Sequence, residues 1–472
     1  MIFDGVSVHR VVCDSRQADA DAIFVCLRGQ NVDGHRFASA AYARGCRCFV
    51  CEETLSLPDD ARQRIVPDTR ATLAELSAEC LGNPAQQLTI IGITGTKGKS
   101  TVAYMLWHVL NETGHSAALI GTMGIFLKNE RRPTLNTTPE SNILQQTFAE
   151  ALEAGCRYVV MEVSSQAAKL KRIHGIPFAL AIFTNLTPGD HIGPGEHADY
   201  NEYRSCKAEL FRHAAQSLLN ADDPESAYMA SASAGACRWY GLERRSAPVD
   251  WQGSTVQRAV IEEQAGMRFS CGALQYRLTI PGRYNVSNAL AVIGACAMLG
   301  LDAPQVRDAL AFVHVPGRLE PVITPMTDRQ FIIDYAHNGY SLRKVLETLR
   351  EYRPGRLICL FGSVGGRTQI RRRELGSVAG ELCDYVIITS DNPDNENPEQ
   401  IIAEIAHYVG ACPHICISDR ADAIRYAVEH SHPGDMVLFA GKGHEDYQLI
   451  DGRHVPFCER ELIREAVSKV LV

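Results

Sequence analysis

The stretch Leu88-Thr-Ile-Ile-Gly-Ile-Thr-Gly-Thr-Lys-Gly-Lys-Ser-Thr-Val-Ala-Tyr-Met-Leu-Trp-His-Val-Leu110 joins an apolar run, a glycine-rich turn and a helical repeat. The apolar run has the length of a buried strand, and the apolar positions after Ser100 recur with helical periodicity. Glycines in the turn let backbone N–H groups close around phosphate oxygens, and the start of a helix favours an anion. Strand, loop and helix therefore follow the order of a phosphate-binding loop.

The loop departs from the pattern G-x4-G-K-[ST] at one place, because Ile93 stands at the first glycine position. A turn that binds nothing is the alternative, and the order of the elements favours nucleotide binding. Lys99 can reach the terminal phosphates of a nucleotide, and the Ser100 hydroxyl can hold Mg²⁺. The predicted nucleotide-binding residues of the loop are Gly95, Thr96, Lys97, Gly98, Lys99, Ser100 and Thr101.

Length and composition exclude several classes of protein. With 472 residues the chain is too long for one ordinary hydrophobic core, so about three domains are expected. Apolar residues make up 46% of the chain and charged residues 22%, which excludes a disordered, collagen-like or coiled-coil protein. The net charge of −8 argues against a broad surface for nucleic acid or anionic lipid. We therefore expect neither a nucleic-acid partner nor a membrane partner.

Cysteine usage and the N-terminal sequence indicate the cellular compartment. The 16 cysteines are scattered through apolar runs, which favours buried thiols in a reducing cytosol over a disulfide framework. The closest group, Cys46, Cys48 and Cys51, lacks the paired spacing of a structural zinc site and is predicted to lie in a strand. The first residues carry acids and no apolar run of about ten residues, so no signal peptide is expected. No run approaches the roughly 18 apolar residues of a membrane-spanning helix, and the predicted location is the cytoplasm.

Breaks in the pattern divide the chain into three predicted α/β regions. Residues 1–87 are predicted to form a small α/β unit that closes at Gly82-Asn83-Pro84. Residues 88–315 alternate strand-like and helical runs, which predicts crossover connections and a mainly parallel sheet. A second break at Pro316-Gly317 opens residues 316–472, for which the pattern predicts a Rossmann-like open sheet with ligand-binding loops after the strands.

Three polar residues of the central region are candidates for chemistry. Glu162 lies near the end of an apolar run, where an acid is costly unless it is paired or binds a metal. A salt-bridged strand end is the alternative to a Mg²⁺ ligand. His191 follows the next strand, although an isolated histidine is usually a surface residue. Lys207 lies in a helical run and, taken alone, would be a solvated lysine.

The order of the motifs along the chain strengthens their interpretation. They are GITGTKGKST, NTTPE, MEVSS, FTNLT followed by Asp190-His191, YxxxKAELF, GRYNVSNALA, PGRLE, DYAHNGYSL, FGSVGGR, SDNPDNENP and AGKGHEDYQ. In this order, and over nearly the whole chain, they resemble the Mur ligase family. The DNP and GKGHEDYQ motifs resemble its MurE type, which adds the third amino acid of the cell-wall stem peptide.

The resemblance implies a two-step ligation. ATP phosphorylates a carboxylate of UDP-N-acetylmuramoyl-L-alanyl-D-glutamate (UDP-MurNAc-L-Ala-D-Glu), and an amine attacks the acyl phosphate to give an amide, ADP and phosphate. Lys99 and two Mg²⁺ ions would neutralise the phosphoryl group during transfer. The family pattern places one Mg²⁺ near Ser100 and Glu162, and the second near Glu162, His191 and Lys207. The family's lysine at the Lys207 position is typically carbamylated, so an anionic oxygen ligand is expected there.

The resemblance also implies further nucleotide and substrate contacts. Asn285 resembles the family's adenine contact, and Arg318 and Asp334 resemble nucleotide groups supplied by the last domain. Because Arg318 and Asp334 lie beyond the break at Pro316, binding is expected to require domain closure, which would exclude water from the acyl phosphate. The expected contacts to the UDP-MurNAc-dipeptide are Ser15 at the UDP end and Thr137, Thr138, Ser164 and Arg172 at the sugar and peptide.

Two departures from the family pattern concern the peptide contacts. Leu170 stands where a glutamine is often found two residues before the arginine. Residues 192–200 read IGPGEHADY where LDYHGT is more usual. Catalysis is expected to tolerate both changes, which leave the individual peptide contacts open.

The incoming amino acid is predicted from the motif Asp391-Asn-Pro-Asp394. Family members that add meso-diaminopimelate typically read DNPR, whose arginine pairs with the far carboxylate of that substrate. Asp394 would repel this carboxylate and could attract an ε-ammonium group, so L-lysine is predicted first, ornithine second and diaminopimelate third. A turn cap beside Pro393 is the alternative role for Asp394. The predicted amino-acid-binding residues are Arg367, which would bind the α-carboxylate, and Asp391, Asn392, Asp394, Gly441 and Glu445.

Other functions fit fewer of the motifs. A folylpolyglutamate synthetase-like ligase would lack the UDP-binding first domain and the DNP and GKGHED motifs. A P-loop NTPase that drives motion or assembly would need no acceptor amine and would give Lys207 no role. A catalytically inactive scaffold conflicts with the presence of Lys99, Glu162, His191 and Lys207. The prediction is therefore a monomeric, cytoplasmic, ATP-dependent ligase that acts on small molecules.

Overall fold

The computed structural model describes residues 1–29, 32–188, 191–193, 195–243, 249–261, 264–366 and 369–471. These residues form two compact units. The first unit consists of Met1–Gln252 with Asn288–Val306, and the second consists of Gly253–Ser287 with Arg307–Val472. The predicted boundary at residue 87 lies inside the first unit, and the boundaries of three domains stay a prediction.

The strands, in chain order, are β1 Ile2–Phe3, β2 Val6–Ser7, β3 Arg10–Val12, β4 Ala22–Val25, β5 Cys48–Cys51, β6 Arg62–Ile65, β7 Thr89–Thr94, β8 Ala117–Gly121, β9 Gly124–Leu127, β10 Glu130–Arg132, β11 Tyr158–Glu162, β12 Phe178–Phe183, β13 Gln216–Asn220, β14 Ala236–Gly241, β15 Trp251–Ile261, β16 Gln264–Cys271, β17 Leu274–Leu278, β18 Glu320–Pro321, β19 Gln330–Asp334, β20 Leu357–Phe361, β21 Tyr385–Ile388, β22 His414–Cys416, β23 Met436–Ala440, β24 Tyr447–Ile450 and β25 Arg453–Pro456.

The α-helices are α1 Ala38–Ala43, α2 Thr69–Cys80, α3 Lys99–Glu112, α4 Ser141–Glu153, α5 Ser165–Lys169, α6 Tyr200–Arg212, α7 Ser226–Ala232, α8 Arg283–Met298, α9 Ala303–Leu310, α10 Gly339–Arg350, α11 Gln369–Leu382, α12 Pro398–Ala406, α13 Arg420–Glu429 and α14 Glu459–Val470. Short 3-10 helices cover Ser15–Gln17, Gly34–Phe37 and Pro84–Gln87.

The N-terminal part of the first unit is built on a small parallel sheet. Its strand order is β3-β4-β5-β6, and every neighbouring pair is parallel. Apolar side chains of β4 and β5 pack on both faces of the sheet, and α2 contributes Leu73 and Leu76 to one of these cores. The predicted break follows α2 directly, where Gly82 and Asn83 both adopt positive φ.

A second, larger sheet in the first unit carries the phosphate-binding loop. Its strands lie in the order β10-β9-β8-β11-β7-β12-β13-β14, and the six strands from β8 through β11, β7, β12 and β13 to β14 run parallel. In β11 Glu162 lies opposite Ile93 of β7, and in β12 Phe183 lies opposite Thr94. Because carboxyl ends of parallel strands meet at one edge, the loop, Glu162 and the segment after β12 lie side by side.

The second unit contains its own open sheet. The strand order is β18-β19-β23-β20-β21-β22, in which only the short edge strand β18 is antiparallel to its neighbour. Asp334, the last residue of β19, lies opposite Ala440, the last residue of β23. The loops after these strands and after β21 therefore gather at one edge of the sheet. Strands β24 and β25, which follow β23 in the chain, form an antiparallel hairpin.

The predicted α/β fold class is confirmed, including the parallel central sheet and the Rossmann-like last sheet. At the predicted break, Pro316-Gly317, the chain passes very close to the loop that contains His444. A side-chain carbon at Gly317 would lie 2.3 Å from the backbone nitrogen of His444, so only glycine can occupy this position without a shift of the backbone. The antiparallel strands of the hairpins were not predicted, because short charged strands such as β10 carry little apolar pattern.

Among the described residues, no helix combines the length and the apolar character that crossing a membrane would require.

Candidate active site

The glycine-rich loop after β7 is held in shape by the segment that follows β12. A side-chain carbon at Gly95 would lie 1.9 Å from the hydroxyl oxygen of Thr184, so the glycine is needed for this approach. The Thr184 hydroxyl donates to the carbonyl oxygen of Lys97 over 2.6 Å. The side-chain oxygen of Asn185 accepts from the backbone N–H of Lys97 over 3.0 Å. The sequence motifs contain both bracing residues, but no role was predicted for them.

Two lysine side chains converge on one carbonyl group of this loop. Lys99 Nζ donates to the carbonyl oxygen of Gly95 over 2.9 Å and to that of Thr96 over 3.1 Å. Lys207 Nζ donates to the same Gly95 oxygen over 2.8 Å. The two amines therefore lie less than about 6 Å apart, where two cations repel each other. Lys207 is only 2% exposed, which adds the cost of removing a charge from water.

Glu162 is a buried carboxylate held by uncharged donors. It is 1% exposed at the end of β11. Its Oε2 accepts from the Ser100 hydroxyl over 2.9 Å, and its Oε1 accepts from the backbone N–H of Thr122 over 2.8 Å. The ion pairs found within the described part of the chain do not include Glu162, so the alternative of a salt-bridged strand end is not observed. Its negative charge has no counter-cation among these contacts, and such a charge is costly.

Tyr203 connects the other two candidate residues to the loop. The ring of Tyr203 lies 4.6 Å from Lys207 Nζ and 5.8 Å from the ring of His191, measured from its centre. Its hydroxyl lies 3.0 Å from the hydroxyl of Thr96. His191 itself is half exposed, adopts a positive φ and lies 3.5 Å from Glu196. The four-residue spacing of Tyr203 and Lys207 on α6 is the signal that could have revealed this arrangement.

The chemistry of the donors fits a hard cation at Ser100 and Glu162. These two side chains offer a hydroxyl and a carboxylate oxygen in hydrogen-bonding contact, which are ligands that Mg²⁺ accepts. A buried carboxylate without a counter-cation is the kind of group that a bound cation would stabilise. The described residues contain no group of three or more His, Cys, Asp or Glu side chains arranged to hold a metal.

The predicted substrate residues of the first unit gather around the same strand end. The Thr138 hydroxyl donates to the carbonyl oxygen of Glu162 over 2.9 Å and accepts from the backbone N–H of Ser164 over 3.0 Å. Thr137 accepts from the hydroxyl of Thr122 over 3.1 Å. Thr137, Thr138 and Ser164 are thus brought together beside Glu162.

Arg172 and Ser15 have different surroundings. The Arg172 guanidinium group lies 2.7 Å from Glu140, and it also donates to the carbonyl oxygen of Thr138 over 3.0 Å. Arg70 of α2 lies 3.5 Å from the second oxygen of Glu140, which links the N-terminal sheet region to this segment. Ser15 lies in a short 3-10 helix after β3, where the side chain of Asp14 accepts from a backbone N–H.

The predicted nucleotide residues of the second unit are firmly braced. The Asp334 carboxylate accepts from the backbone N–H groups of Leu319 and Ala336 over 2.7 and 2.8 Å, and burial raises its pKa. The guanidinium group of Arg318 lies 4.8 Å from the ring centre of Tyr335. The Asn285 amide donates to the carbonyl oxygen of Pro281 over 2.7 Å, at the start of α8.

The predicted amino-acid-binding loops after β21 and β23 share a buried polar network. Lys442 Nζ donates to Asn392 and to Glu445, each over 2.7 Å, and lies 3.7 Å from Asp391. A side-chain carbon at Gly441 would lie 2.9 Å from the Asp391 carboxylate. Sequence reasoning did not assign Lys442 a role, although it stands inside the GKGHE motif. Arg367, the predicted contact to the α-carboxylate, lies outside the described residues.

Asp394 is tied to the β24–β25 hairpin. Its carboxylate accepts from the backbone N–H of Gly452 over 2.8 Å, and its own N–H donates to the carbonyl oxygen of Leu449 over 2.9 Å. It adopts a φ of 52°, a left-handed conformation that Asp tolerates better than most residues. Asp394 therefore has a structural contact with this hairpin, and the alternative of a cap on the turn beside Pro393 stays a prediction.

A buried ion pair lies beneath these two loops. Arg420 and Glu459, both nearly inaccessible to solvent, lie 2.6 Å apart. Arg420 also donates to the carbonyl oxygens of Ser390 and Ala440 over 3.1 and 2.9 Å. Burial raises the pKa of Glu459, and the positive charge of Arg420 opposes this rise. One guanidinium group therefore joins the ends of β21 and β23.

Comparison with known proteins places this geometry in a family. The model of the Mur ligase family catalytic domain matches residues 7–79, that of the Mur ligase middle domain residues 93–296, and that of the Mur ligase glutamate ligase domain residues 317–443. These three matches follow one another along the chain.

Full-length relatives agree with the domain matches. A UDP-N-acetylmuramoyl-L-alanyl-D-glutamate–2,6-diaminopimelate ligase of Caldanaerobacter subterraneus is 37% identical over 471 residues, covering 98% of this chain and 95% of the relative. The ligase of the same name from Chlorobaculum tepidum is 38% identical over 476 residues, covering 98% and 92%. A solved structure of that name has a TM-score of 0.70 at 26% identity and covers 98% of this chain and 96% of its own. The chain belongs to the Mur ligase family of ATP-dependent ligases.

Proposed function

We propose that this enzyme is a ligase of the MurE type, which uses ATP to join a diamino acid to the D-glutamate of UDP-MurNAc-L-Ala-D-Glu. The names of relatives that are 37% and 38% identical over nearly the whole chain support this acceptor substrate. The observation that carries the proposal is the buried carboxylate of Glu162 beside Ser100 and the phosphate-binding loop. It supplies an uncompensated negative charge where the metal of a bound nucleotide is needed.

In this proposal each part of the chain binds one substrate. Residues 1–87 bind the UDP end, residues 88–315 bind ATP, and residues 316–472 bind the amino acid. The assigned contacts are Ser15 for UDP, Thr137, Thr138, Ser164 and Arg172 for the sugar and peptide, and the loop residues with Asn285, Arg318 and Asp334 for ATP. Arg172 would have to share its guanidinium group between a substrate carboxylate and Glu140, which it already contacts.

Magnesium and the phosphate-binding loop would each stabilise part of the charge during phosphoryl transfer. Ser100 and Glu162 would hold one Mg²⁺, and Glu162, His191 and Lys207 a second. When bound, Mg²⁺ would neutralise part of the charge on the transferring phosphoryl group. The ammonium group of Lys99 exchanges the loop carbonyls for the terminal phosphates of ATP. The backbone N–H groups of the loop and the start of α3 bind the other phosphate oxygens.

We further propose that Lys207 is carbamylated, which its surroundings support in addition to the family resemblance. A free ammonium group there is buried and shares the Gly95 oxygen with Lys99. A carbamate removes the positive charge, keeps an N–H that can donate to Gly95, and adds oxygen ligands for Mg²⁺. Intact-mass or carbon-13 spectroscopy of the magnesium-loaded enzyme in bicarbonate tests this assignment. A free amine in fully active enzyme would contradict it.

Two observations favour different amino acids. The names of the relatives favour 2,6-diaminopimelate. The charge of Asp394 favours L-lysine, with ornithine second, because a carboxylate repels the far carboxylate of diaminopimelate. Since Asp394 also accepts from Gly452, its carboxylate has a structural contact whichever amino acid is used. L-Lysine remains our prediction from this residue alone.

The deciding experiment measures phosphate release with ATP, Mg²⁺ and UDP-MurNAc-L-Ala-D-Glu, and compares L-lysine, L-ornithine and meso-diaminopimelate. We expect release to require both the UDP substrate and a diamino acid. Release of equal rate without an acceptor would instead support a P-loop NTPase. A clear preference for diaminopimelate would contradict the role of Asp394 in selection. The Lys99→Met variant, which lacks the proposed phosphate contact, serves as the inactive control.

A second pair of variants separates the charge of Asp394 from its turn contact. Asp394→Asn keeps an oxygen that can accept from Gly452 and tolerates the left-handed φ, but it carries no charge. If the charge selects the amino acid, Asp394→Asn reduces the preference for L-lysine over diaminopimelate, and Asp394→Arg reduces it further. An unchanged preference in Asp394→Asn would assign Asp394 to the turn alone.

A further inference from the structure

Lys442 belongs to one of the two loops that carry the proposed amino-acid-binding residues, and its side chain contacts the other. Its side chain is fully buried. Its ammonium group donates to Asn392 Oδ1 of one loop and to Glu445 Oε2 of its own loop, and it lies 3.7 Å from Asp391 Oδ1. One cation thus contacts all three polar side chains of this network. It joins the loops above the sheet, as Arg420 joins them below.

The contacts of Glu445 show which of its oxygens remains for a ligand. Oε2 accepts from both Lys442 and the side-chain amide of Asn392, over 2.7 and 3.0 Å. Among the described residues, the hydrogen bond of Oε1 is a longer one, 3.3 Å, from the hydroxyl of Tyr335. The Glu445 side chain is 15% exposed, so part of it faces solvent. Oε1 is therefore the oxygen that can accept from an amine.

The charges of the network also favour a cationic ligand. With Lys442 present, the ionised side chains of Asp391, Lys442 and Glu445 sum to −1. Asp391 is 2% exposed, and within the part of the chain that the structure describes its Oδ1 has no hydrogen-bond partner. A buried acceptor left in this way points to a network that is completed by another donor. The ammonium group of an amino acid has the charge and the donors that the network lacks.

We propose that Lys442 is a positioning residue for recognition of the incoming amino acid. It fixes Asn392 and one oxygen of Glu445, and so leaves Glu445 Oε1 ready to accept from an ammonium group of the diamino acid. It also compensates one of the two carboxylates, the buried Asp391 and the partly exposed Glu445, which keeps the site at a charge that a single ammonium group can neutralise. This inference rests on the function proposed above.

The test compares Lys442→Met with a matched variant, Lys344→Met. Both lysines pair with a glutamate three residues later in the second unit, but Lys344 and Glu347 are largely exposed. We expect Lys442→Met to raise the KM for the amino acid at least about tenfold, because it breaks a buried charge pair at the binding site. The KM values for ATP and for the UDP substrate should stay within about twofold of wild type. Lys344→Met should leave all three unchanged.

The conservative variant Lys442→Arg keeps the charge but has a planar head group, so we expect a smaller rise in the same KM. This partial rescue would distinguish positioning from general loss of structure, and it provides the test if Lys442→Met fails to fold. An unchanged amino-acid KM in either folded variant, or an equal rise of all three KM values, would overturn the inference. If wild-type enzyme releases no phosphate with any diamino acid, the proposed function fails instead.

Discussion

The phosphate-binding loop and the amino-acid-binding loops treat buried charge in opposite ways. At the phosphate-binding loop, Lys99 and Lys207 converge on one carbonyl oxygen, and Glu162 is held by uncharged donors. At the loops after β21 and β23, Arg420 is paired with Glu459, and Lys442 with Glu445. In the first region the carboxylate of Glu162 has no cation among these donors, whereas in the second region Glu459 and Glu445 are each paired with a cation.

This difference indicates what each region requires from its ligand. A buried carboxylate held by uncharged donors, next to two converging lysines, is expected where a metal ion and phosphate groups bind, because these ligands bring charges of both signs. Compensated charges hold a binding surface in one shape before the ligand arrives, which reduces the cost of binding. The first region should therefore gain stability from its ligands, and the second should depend on its own ion pairs.

The largest effect on stability is expected from breaking the buried ion pair of Arg420 and Glu459 in the second region. Arg420→Met leaves the buried Glu459 without its counter-charge and should lower the local free energy of unfolding by about 3–5 kcal/mol. The three tryptophans, Trp107, Trp239 and Trp251, all lie in the first unit, so fluorescence does not report on this site. Hydrogen exchange in β21 and β23 is the appropriate measurement.

A matched control for this prediction is Arg343→Met. Arg343 and Glu381 form a pair of similar length in the same unit, but both side chains are partly exposed. We expect a loss below about 1 kcal/mol, because solvent screens such a pair. Equal effects of the two variants would mean that burial of the Arg420 pair contributes nothing.

At the first region, removing a buried charge is expected to leave the free energy of unfolding unchanged or to raise it. Glu162→Gln removes an uncompensated buried charge, so without Mg²⁺ the variant should be as stable as wild type or more stable, by up to about 1 kcal/mol. Its rate of phosphate release should fall at least about 100-fold, or roughly 2.7 kcal/mol in the barrier, if Glu162 holds the metal. Tryptophan fluorescence during thermal unfolding, together with the ligase assay, tests both parts. Strong destabilisation without Mg²⁺ would contradict the comparison.

Magnesium provides a smaller, independent test. At about ten times its Kd, Mg²⁺ should stabilise the first unit of the wild-type enzyme by about 1.4 kcal/mol, because it binds only the folded protein. Removal with EDTA should reverse this shift. Glu162→Gln should show little response to either treatment. A similar response in the variant would place the binding site elsewhere.

The smallest effect is expected at Asp394. Asp394→Asn keeps the acceptor for Gly452, so the free energy of unfolding should change by less than about 0.5 kcal/mol. Any change in amino-acid preference can then be attributed to the lost charge. A destabilisation well above this value would mean that the carboxylate charge itself holds the hairpin.

The same comparison explains how much could be predicted from the sequence. The phosphate-binding loop was predictable because strand, glycines, Lys99 and Ser100 are contiguous, and local pattern specifies them. The position of Glu162 beside this loop was also predictable, because Glu162 lies at the end of a parallel strand. No role was predicted for Lys442, Arg420 or Glu459, although Asp391 and Glu445 were assigned to the amino-acid site, because these side chains come from four separate segments. Only the strand order brings those segments to one edge, and no local pattern encodes that order.

The contact between Gly317 and His444 has a consequence for natural variation. Every amino acid that can replace glycine adds at least one carbon atom, and at position 317 that atom would overlap the backbone of the GKGHE loop. No missense change in this codon is therefore expected to be neutral. In a saturation-mutagenesis library selected for growth, position 317 should appear as an empty column, even though its side chain takes no part in chemistry.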